Sequence, residues 1–384
     1  TNSNGIYARN FATATDLTIN AAAVSGGQFG INSRNYGTGE TNITATGTVT
    51  GTGAWGIYAR NAGAASTDLT VNAVDVSGGQ FGISARNYGV GETAITTTGT
   101  VTGSTGWGIL ARNAGAASTD LTINAANVSG VTDGIIALNA GTGSTSVTAT
   151  GTVNGTNGTG IRVANSASAD NLTITAVDAT GGQTGISALN SGRGATTVTS
   201  TGSIVGTTTV GIDARTAGTD ITINAVEVSG GSTGIFTSNT GLGETSITTT
   251  GSVAGTTGTG IDSQNSGNST DLTINAVDVI GGQFGISAWN IGIGETSVTT
   301  SGNITGTNLI GIFTVNGSNS TNTTINAVDV TGGQIGISAS NDGTGSTSIT
   351  STGTVTGTNS TGILAQAGPT SSGITVTAVN VIGG

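Results

Sequence analysis

A Gly-Ile dipeptide recurs at Gly5, Gly30, Gly56, Gly82, Gly108, Gly134, Gly160, Gly185, Gly211, Gly234, Gly260, Gly285, Gly311, Gly336 and Gly362, at intervals of 25 or 26 residues with one of 23. A unit this short cannot bury its own apolar face, so copies must stack to make a core. The length of 384 residues would otherwise allow two or three ordinary domains, but the repeat leaves no remainder large enough for one. Units alternate between two types, one like GIYARNAGAASTDLTVNAVDVSGGQF from Gly56 and one like GISARNYGVGETAITTTGTVTGSTGW from Gly82. The higher period is therefore about 51 residues.

Within each unit the apolar residues alternate, which is the pattern of strands. The Ile after each Gly shares a face with a small residue two positions on, as in Ala59, Ala85, Ala111 and Ala137. A second run pairs Leu17 with Ile19 and Leu69 with Val71, and a third carries Val74 and Val76 or Val226 and Val228. Gly, Thr and β-branched residues disfavour helix throughout. The sequence predicts an all-β chain: a parallel β-solenoid (β-helix) of about 15 coils with three short strands per coil, one repeat domain over residues 1–384. In the second type of unit the run GTVTG sets Val101 opposite Asp75, which a one-residue bulge or a shifted corner would reconcile.

Composition excludes much chemistry. There is no Cys, His or Met, and all eight basic residues are Arg. Metal sites built on Cys or His, thiol nucleophiles, Ser-His triads and Schiff-base lysines are thereby ruled out. A net charge of −11 and a pI near 4.1 argue against nucleic acid as a partner. No apolar run approaches the roughly 18 to 20 residues of a membrane span. Thr1 opens no signal peptide, so any targeting segment is expected outside this stretch.

Stacking turns repeated residues into columns. Five residues after the Gly stand Asn10, Asn35, Asn61, Asn87, Asn113, Asn139, Asn165, Asn190, Asn239, Asn265, Asn290, Asn316 and Asn341, with Thr216 and Ala367 breaking the series. These are expected to face inward at a corner as an amide ladder, each donating to and accepting from the next. The outward side of the second strand is expected to carry one column of Thr: Thr18, Thr44, Thr70, Thr96, Thr122, Thr148, Thr173, Thr199, Thr222, Thr248, Thr273, Thr299, Thr324, Thr350 and Thr375. Such a column stabilises parallel strands or offers a flat, periodic binding face. Arg9, Arg34, Arg60, Arg86 and Arg112 form an outward column that stops where Leu138 takes its place. The corner acids Asp16, Glu40, Asp68, Glu92 and Asp120 are expected to zip against it in exposed pairs. Calcium along that edge is the alternative, although no GGxGxDxUx motif occurs. Phe29, Trp55, Phe81 and Trp107 precede their Gly on successive coils and are expected to stack, inward or at a corner, with a sugar-binding strip as the functional alternative.

Carboxylates that recur with the repeat, such as Asp75, Asp178, Glu227, Asp278 and Asp329, read as structural. Glycoside hydrolysis needs a pair that breaks the symmetry, with one raised pKa. No catalytic residue, cofactor or metal site is predicted, and the chain is not expected to be an enzyme.

The Gly-Ile beat, the Asn column, the Thr, Asn and Gly richness and the lack of Cys and Lys together resemble the repeat regions of large secreted bacterial β-solenoids, such as autotransporter passengers and filamentous haemagglutinin-like adhesins. The resemblance spans the whole chain but is architectural, without a family-specific motif. It implies an extracellular or cell-surface setting and a structural or adhesive role. The chain ends VNVIGG in repeat register, and joined to TNSNGIYARN this would read like an internal unit, so coils are expected to continue in a longer chain or by head-to-tail self-association. Pro369 in the last unit is the one hint of a stop. The expected function is an extracellular rod of a surface fibre or adhesin. The alternative is an ice- or glycan-binding solenoid that uses the Thr face.

Overall fold

The computed structural model describes residues 3–384; Thr1 and Asn2, which would open the tail-to-head junction, lie outside the described residues. The described residues form strands and turns with no helix, in a parallel β-solenoid of about 15 coils. They divide into two compact units, ending at Gly194 and beginning at Ala195, built from the same two types of coil.

In the first unit the strands that follow the Gly pair parallel with like over like. Ile31 lies opposite Ile57, Ile57 opposite Ile83 and Ile83 opposite Ile109. Each of these Ile side chains is 0% exposed, as are Ala59, Ala85 and Ala111 two residues on. The inward set is completed by Leu69 and Val71 from the second strand and Val76 from the third. Val74 is half-buried instead, because the chain turns at Val74 and Asp75 and the third strand starts at Val76. The second unit repeats this arrangement, with Ile235 over Ile261, Ile261 over Ile286 and Ile286 over Ile312.

The recurrent glycines are there for space rather than for unusual dihedrals. Among the described residues only Gly267 (φ 69°) and Gly373 (φ 139°) have positive φ. A Cβ on Gly56 would lie 2.4 Å from Cγ1 of Val76 in the same coil, so the Gly before each Ile makes room for the third strand. At the corner that follows, a Cβ on Gly78 would lie 1.6 Å from the carbonyl oxygen of Phe81.

The mismatch between the two types of coil is resolved by a bulge. Thr97 pairs with Ala73 and Val101 with Val76, so the second type carries one extra residue between its second and third strands. The same shift recurs where Thr93–Gly103 pairs with Leu121–Gly130. The extra residue leaves a backbone N–H without a ladder partner, and an Asp or Asn of the coil before it supplies the acceptor. Oδ1 of Asp75 accepts from the N–H of Thr100 at 2.8 Å, Asn127 serves Thr152 at 3.0 Å, Asp278 serves Asn303 at 2.8 Å and Asp329 serves Thr354 at 2.7 Å. A Cβ on Gly99 would lie 2.2 Å from Oδ1 of Asp75, so the acid and the glycine require each other. Gly99→Ala is expected to lower stability by about 2 kcal/mol or more. In the Asp75→Ala, Gly99→Ala double variant the loss should fall clearly below the sum of the two singles. Thermal melts of the four proteins followed by circular dichroism measure this coupling, and strict additivity would refute it.

Candidate functional site

The Asn column is present and buried. Asn35, Asn61, Asn87, Asn113, Asn139 and Asn165 are direct neighbours in register, and none exceeds 3% exposure. In the second unit the series runs Asn239, Asn265, Asn290, Asn316 and Asn341. Asn10, on the first coil, is half-buried. The expected amide-to-amide bonding is corrected by the structure: these side chains bond to backbone and to Thr. The amide nitrogens donate to corner carbonyls, as Asn61 Nδ2 does to Asp68 O at 2.8 Å and Asn87 Nδ2 to Thr67 O at 2.9 Å.

The amide oxygens divide by coil type. In second-type coils the oxygen accepts from a corner glycine of its own coil, as Asn87 does from the N–H of Gly89 at 2.9 Å and Asn239 from that of Gly241 at 2.9 Å. In first-type coils it accepts the hydroxyl of a buried Thr on the preceding coil. Thr41 donates to Asn61 and Thr93 to Asn113, while Thr145 donates to Asn165 and Thr245 to Asn265 at 2.6 Å each. The corner is shorter in second-type coils, with four residues between Asn87 and Glu92. There an amide oxygen reaches its own turn; across the longer first-type corner it is free for the Thr.

Both breaks in the series fit this rule. Thr216 stands in a shortened corner and takes the N–H of Gly218 on its own hydroxyl at 3.1 Å, and the buried hydroxyl of Thr196 on the preceding coil has no partner. Ala367 offers no acceptor at all, and the buried hydroxyl of Thr347 is likewise unpartnered. A buried hydroxyl without a partner is destabilising, whereas removing one member of a made bond strands the other. Thr347→Val is therefore expected to raise stability by up to about 1 kcal/mol, and Thr145→Val to lower it by about 1 to 3 kcal/mol. Equal effects of the two substitutions in denaturant titrations would contradict this.

The single Thr column is also corrected. Leu17 lies opposite Thr41, so Thr18 faces Asn42 and Thr44 faces Asn20. The expected series Thr18, Thr44, Thr70, Thr96, Thr122, Thr148 therefore alternates between two neighbouring columns. One runs Thr18, Asn42, Thr70, Ala94, Thr122, Ser146 and the other Asn20, Thr44, Asn72, Thr96, Asn124, Thr148. Thr173 likewise faces Ser146, and in the second unit Thr222 faces Ser246 while Thr248 faces Asn224; Thr273, Thr299, Thr324, Thr350 and Thr375 follow the same alternation. Thr199 belongs to the second column, opposite Asn224. The physical reason is the buried Thr. It takes the place of Leu in second-type coils, which shifts their outward Thr by two residues relative to the first type.

The Arg column holds its register over five coils, Arg9 to Arg34, Arg60, Arg86 and Arg112. The expected zipper with the corner acids is not formed. Asp16, Asp68 and Asp120 accept the backbone N–H of Glu40, Glu92 and Ser144 on the next coil, at 3.1, 2.9 and 2.8 Å. The guanidinium groups lie over rings instead: Arg9 over Tyr36 at 4.7 Å, Arg60 over Tyr88 at 4.6 Å and Arg34 over Tyr58 at 5.6 Å. Phe29, Trp55, Phe81 and Trp107 do stack, with successive ring centroids 5.1, 5.1 and 3.9 Å apart, half-buried at the corner rather than inside. The alternation of Arg with Tyr36, Tyr58 and Tyr88 was visible in the sequence as aromatics two residues to either side of the Arg column. In the second unit the corresponding outward positions are Arg215, Ser238, Gln264, Trp289, Val315, Ser340 and Gln366, and Gln264, Trp289 and Ile291 line a shallow hollow. Among the described residues, no three His, Cys, Asp or Glu side chains converge as a cation site.

Asp262 stands outside the recurring acid positions and was not singled out by its spacing. Asp262 lies outward between Phe236 and Ser287 on the neighbouring coils. Burial raises its carboxyl above the ordinary carboxylate value, against hydrogen bonds from Gln264 and Ser287 that lower it. The folded chain then holds this proton more tightly than the unfolded one. The contribution to stability accordingly falls as pH rises from the ordinary value through the raised one. Asp262→Asn is expected to remove that fall, which melting temperatures measured between about pH 3 and pH 7 would display.

No protein-family model, curated protein or solved structure matches the chain. The fold and its columns define a parallel β-solenoid repeat protein.

Proposed function

We propose that the chain is a non-enzymatic structural segment of an extracellular surface fibre or adhesin, of the kind represented by the repeat regions of autotransporter passengers and filamentous haemagglutinin-like adhesins. The observation that carries this reading is the use of the repeated polar residues. Corner Asp residues such as Asp68, bulge Asp residues such as Asp75, buried Thr such as Thr145 and column Asn such as Asn87 are engaged in joining one coil to the next. The bonding rule has no built-in limit, because each type of coil presents what the other needs. Coils can therefore add to coils, within a longer chain or head to tail between copies. Lateral association is a further route for self-assembly. No cofactor or metal is required by this role.

The outward Thr and Asn columns supply the competing reading, a periodic uncharged face for ice or a neutral glycan. That face is interrupted on every second coil by the bulge at residues such as Thr98 and Gly99. Negative-stain electron microscopy of the purified chain is expected to show unbranched fibres. Uniform monomers that give thermal hysteresis, or that are retained on a neutral glycan column, would refute the structural reading and favour the Thr face.

A further inference from the structure

Five Arg residues stand one above another on the outward side of the first unit, on strands about 4.8 Å apart. Like charges at that spacing repel. Among the described residues the ion pairs are Arg162–Asp133 and Arg215–Asp213, and neither involves this column. Of the corner acids, Asp16, Asp68 and Asp120 are engaged with backbone N–H groups. Arg34, Arg60 and Arg86 are half-buried, and Nε of Arg60 is fully buried without an acceptor. A stack of partly desolvated, unpaired cations costs stability by itself, in a chain whose net charge is −11. An anion laid along it would relieve both repulsion and desolvation.

The flanking rings sharpen the identity of that anion. Phe29, Trp55, Phe81 and Trp107 cover one another's faces, and Tyr36, Tyr58 and Tyr88 are covered by Arg. Nucleobase stacking needs free ring faces. Ring edges remain, and these carry the positive part of the ring quadrupole. Arg34 and Arg86 are held in place by Nε donating to Asn32 Oδ1 at 3.3 Å and to Ser84 Oγ at 3.2 Å. The result is a row of positive charge in register that leans alternately to either side, Arg9 and Arg60 toward Tyr36 and Tyr88 and Arg34 and Arg86 toward Tyr58, with an electropositive border.

We propose that this face binds a linear anionic polysaccharide, with successive carboxylate or sulfate groups met by successive guanidinium groups. The proposal rests on the Arg column alone and is independent of the Thr face and of fibre formation. The experiment uses the full chain, immobilised, with polygalacturonate, dextran sulfate, neutral dextran and an oligothymidylate as probes at low and high salt. Polygalacturonate or dextran sulfate should bind, the preferred one reporting carboxylate or sulfate, with affinity falling as salt rises; dextran should not bind. The Arg34→Gln, Arg60→Gln, Arg86→Gln variant should bind the preferred polysaccharide about tenfold or more weakly, with a melting temperature equal to or above the parent's. An Arg column that served only the fold would instead lower the melting temperature and leave binding unchanged. Should that variant fail to fold, Arg9→Gln with Arg112→Gln, at the exposed ends of the column, should still weaken binding severalfold. Unchanged binding by a folded variant, equal binding of neutral dextran, or tighter binding of the oligothymidylate would overturn the proposal.

Discussion

Each coil offers hydrogen bonds that only a coil of the other type can complete, and the rest of the structure depends on this reciprocity. A first-type coil extends Asp68 and Asp75 to backbone N–H groups of the second-type coil that follows. The second-type coil extends Thr93 to Asn113 of the next first-type coil. Backbone ladders alone would tolerate any strand over any other. The side-chain bonds fix which coil follows which, and register then places Ile over Ile and Ala over Ala. A thin apolar interior suffices because every inward residue packs against its own kind above and below.

The same reciprocity explains why the acids of this protein do not look like reagents. A carboxylate accepting a backbone N–H at a corner is both a structural cap and a local charge. Its glycine partner is chosen because a side chain there would collide with it, as at Gly91 against Asp68. Asp262 lies outside the scheme, which is why burial rather than bonding governs its proton. The Arg column lies outside it too. Its guanidinium groups lie over rings of the next coil and form no ion pair, so their charge is not neutralised by a carboxylate.

Much of the fold could be read from the chain without coordinates. The Gly-Ile beat and the alternation of Leu69 and Val71 determine parallel coils, because they set period and parity at once. The side-chain partners were less legible. The Thr series looked like one column because Thr18 and Thr44 precede Ile19 and lie beside Ile43 in similar local strings, yet Thr41 is opposite Leu17. A buried Thr in a Leu position is invisible to hydrophobic patterning, and its partner Asn61 is 20 residues away on the next coil. The Arg column was legible as a column, but its partners were mistaken. Charge pairing was expected from the column of acids at the following corner, whereas backbone N–H groups compete for the Asp oxygens and the neighbouring rings take the guanidinium groups.

The alternation also constrains how such a chain can change its length. Removing one coil would set two of the same type against each other, leaving either an Asp without the second-type corner it serves or a Thr facing an amide already engaged with its own glycine, according to which type is lost. Removing two adjacent coils would restore every partnership. Duplication and loss through recombination should therefore be tolerated in paired steps, and lineages of such solenoids should differ by even numbers of turns.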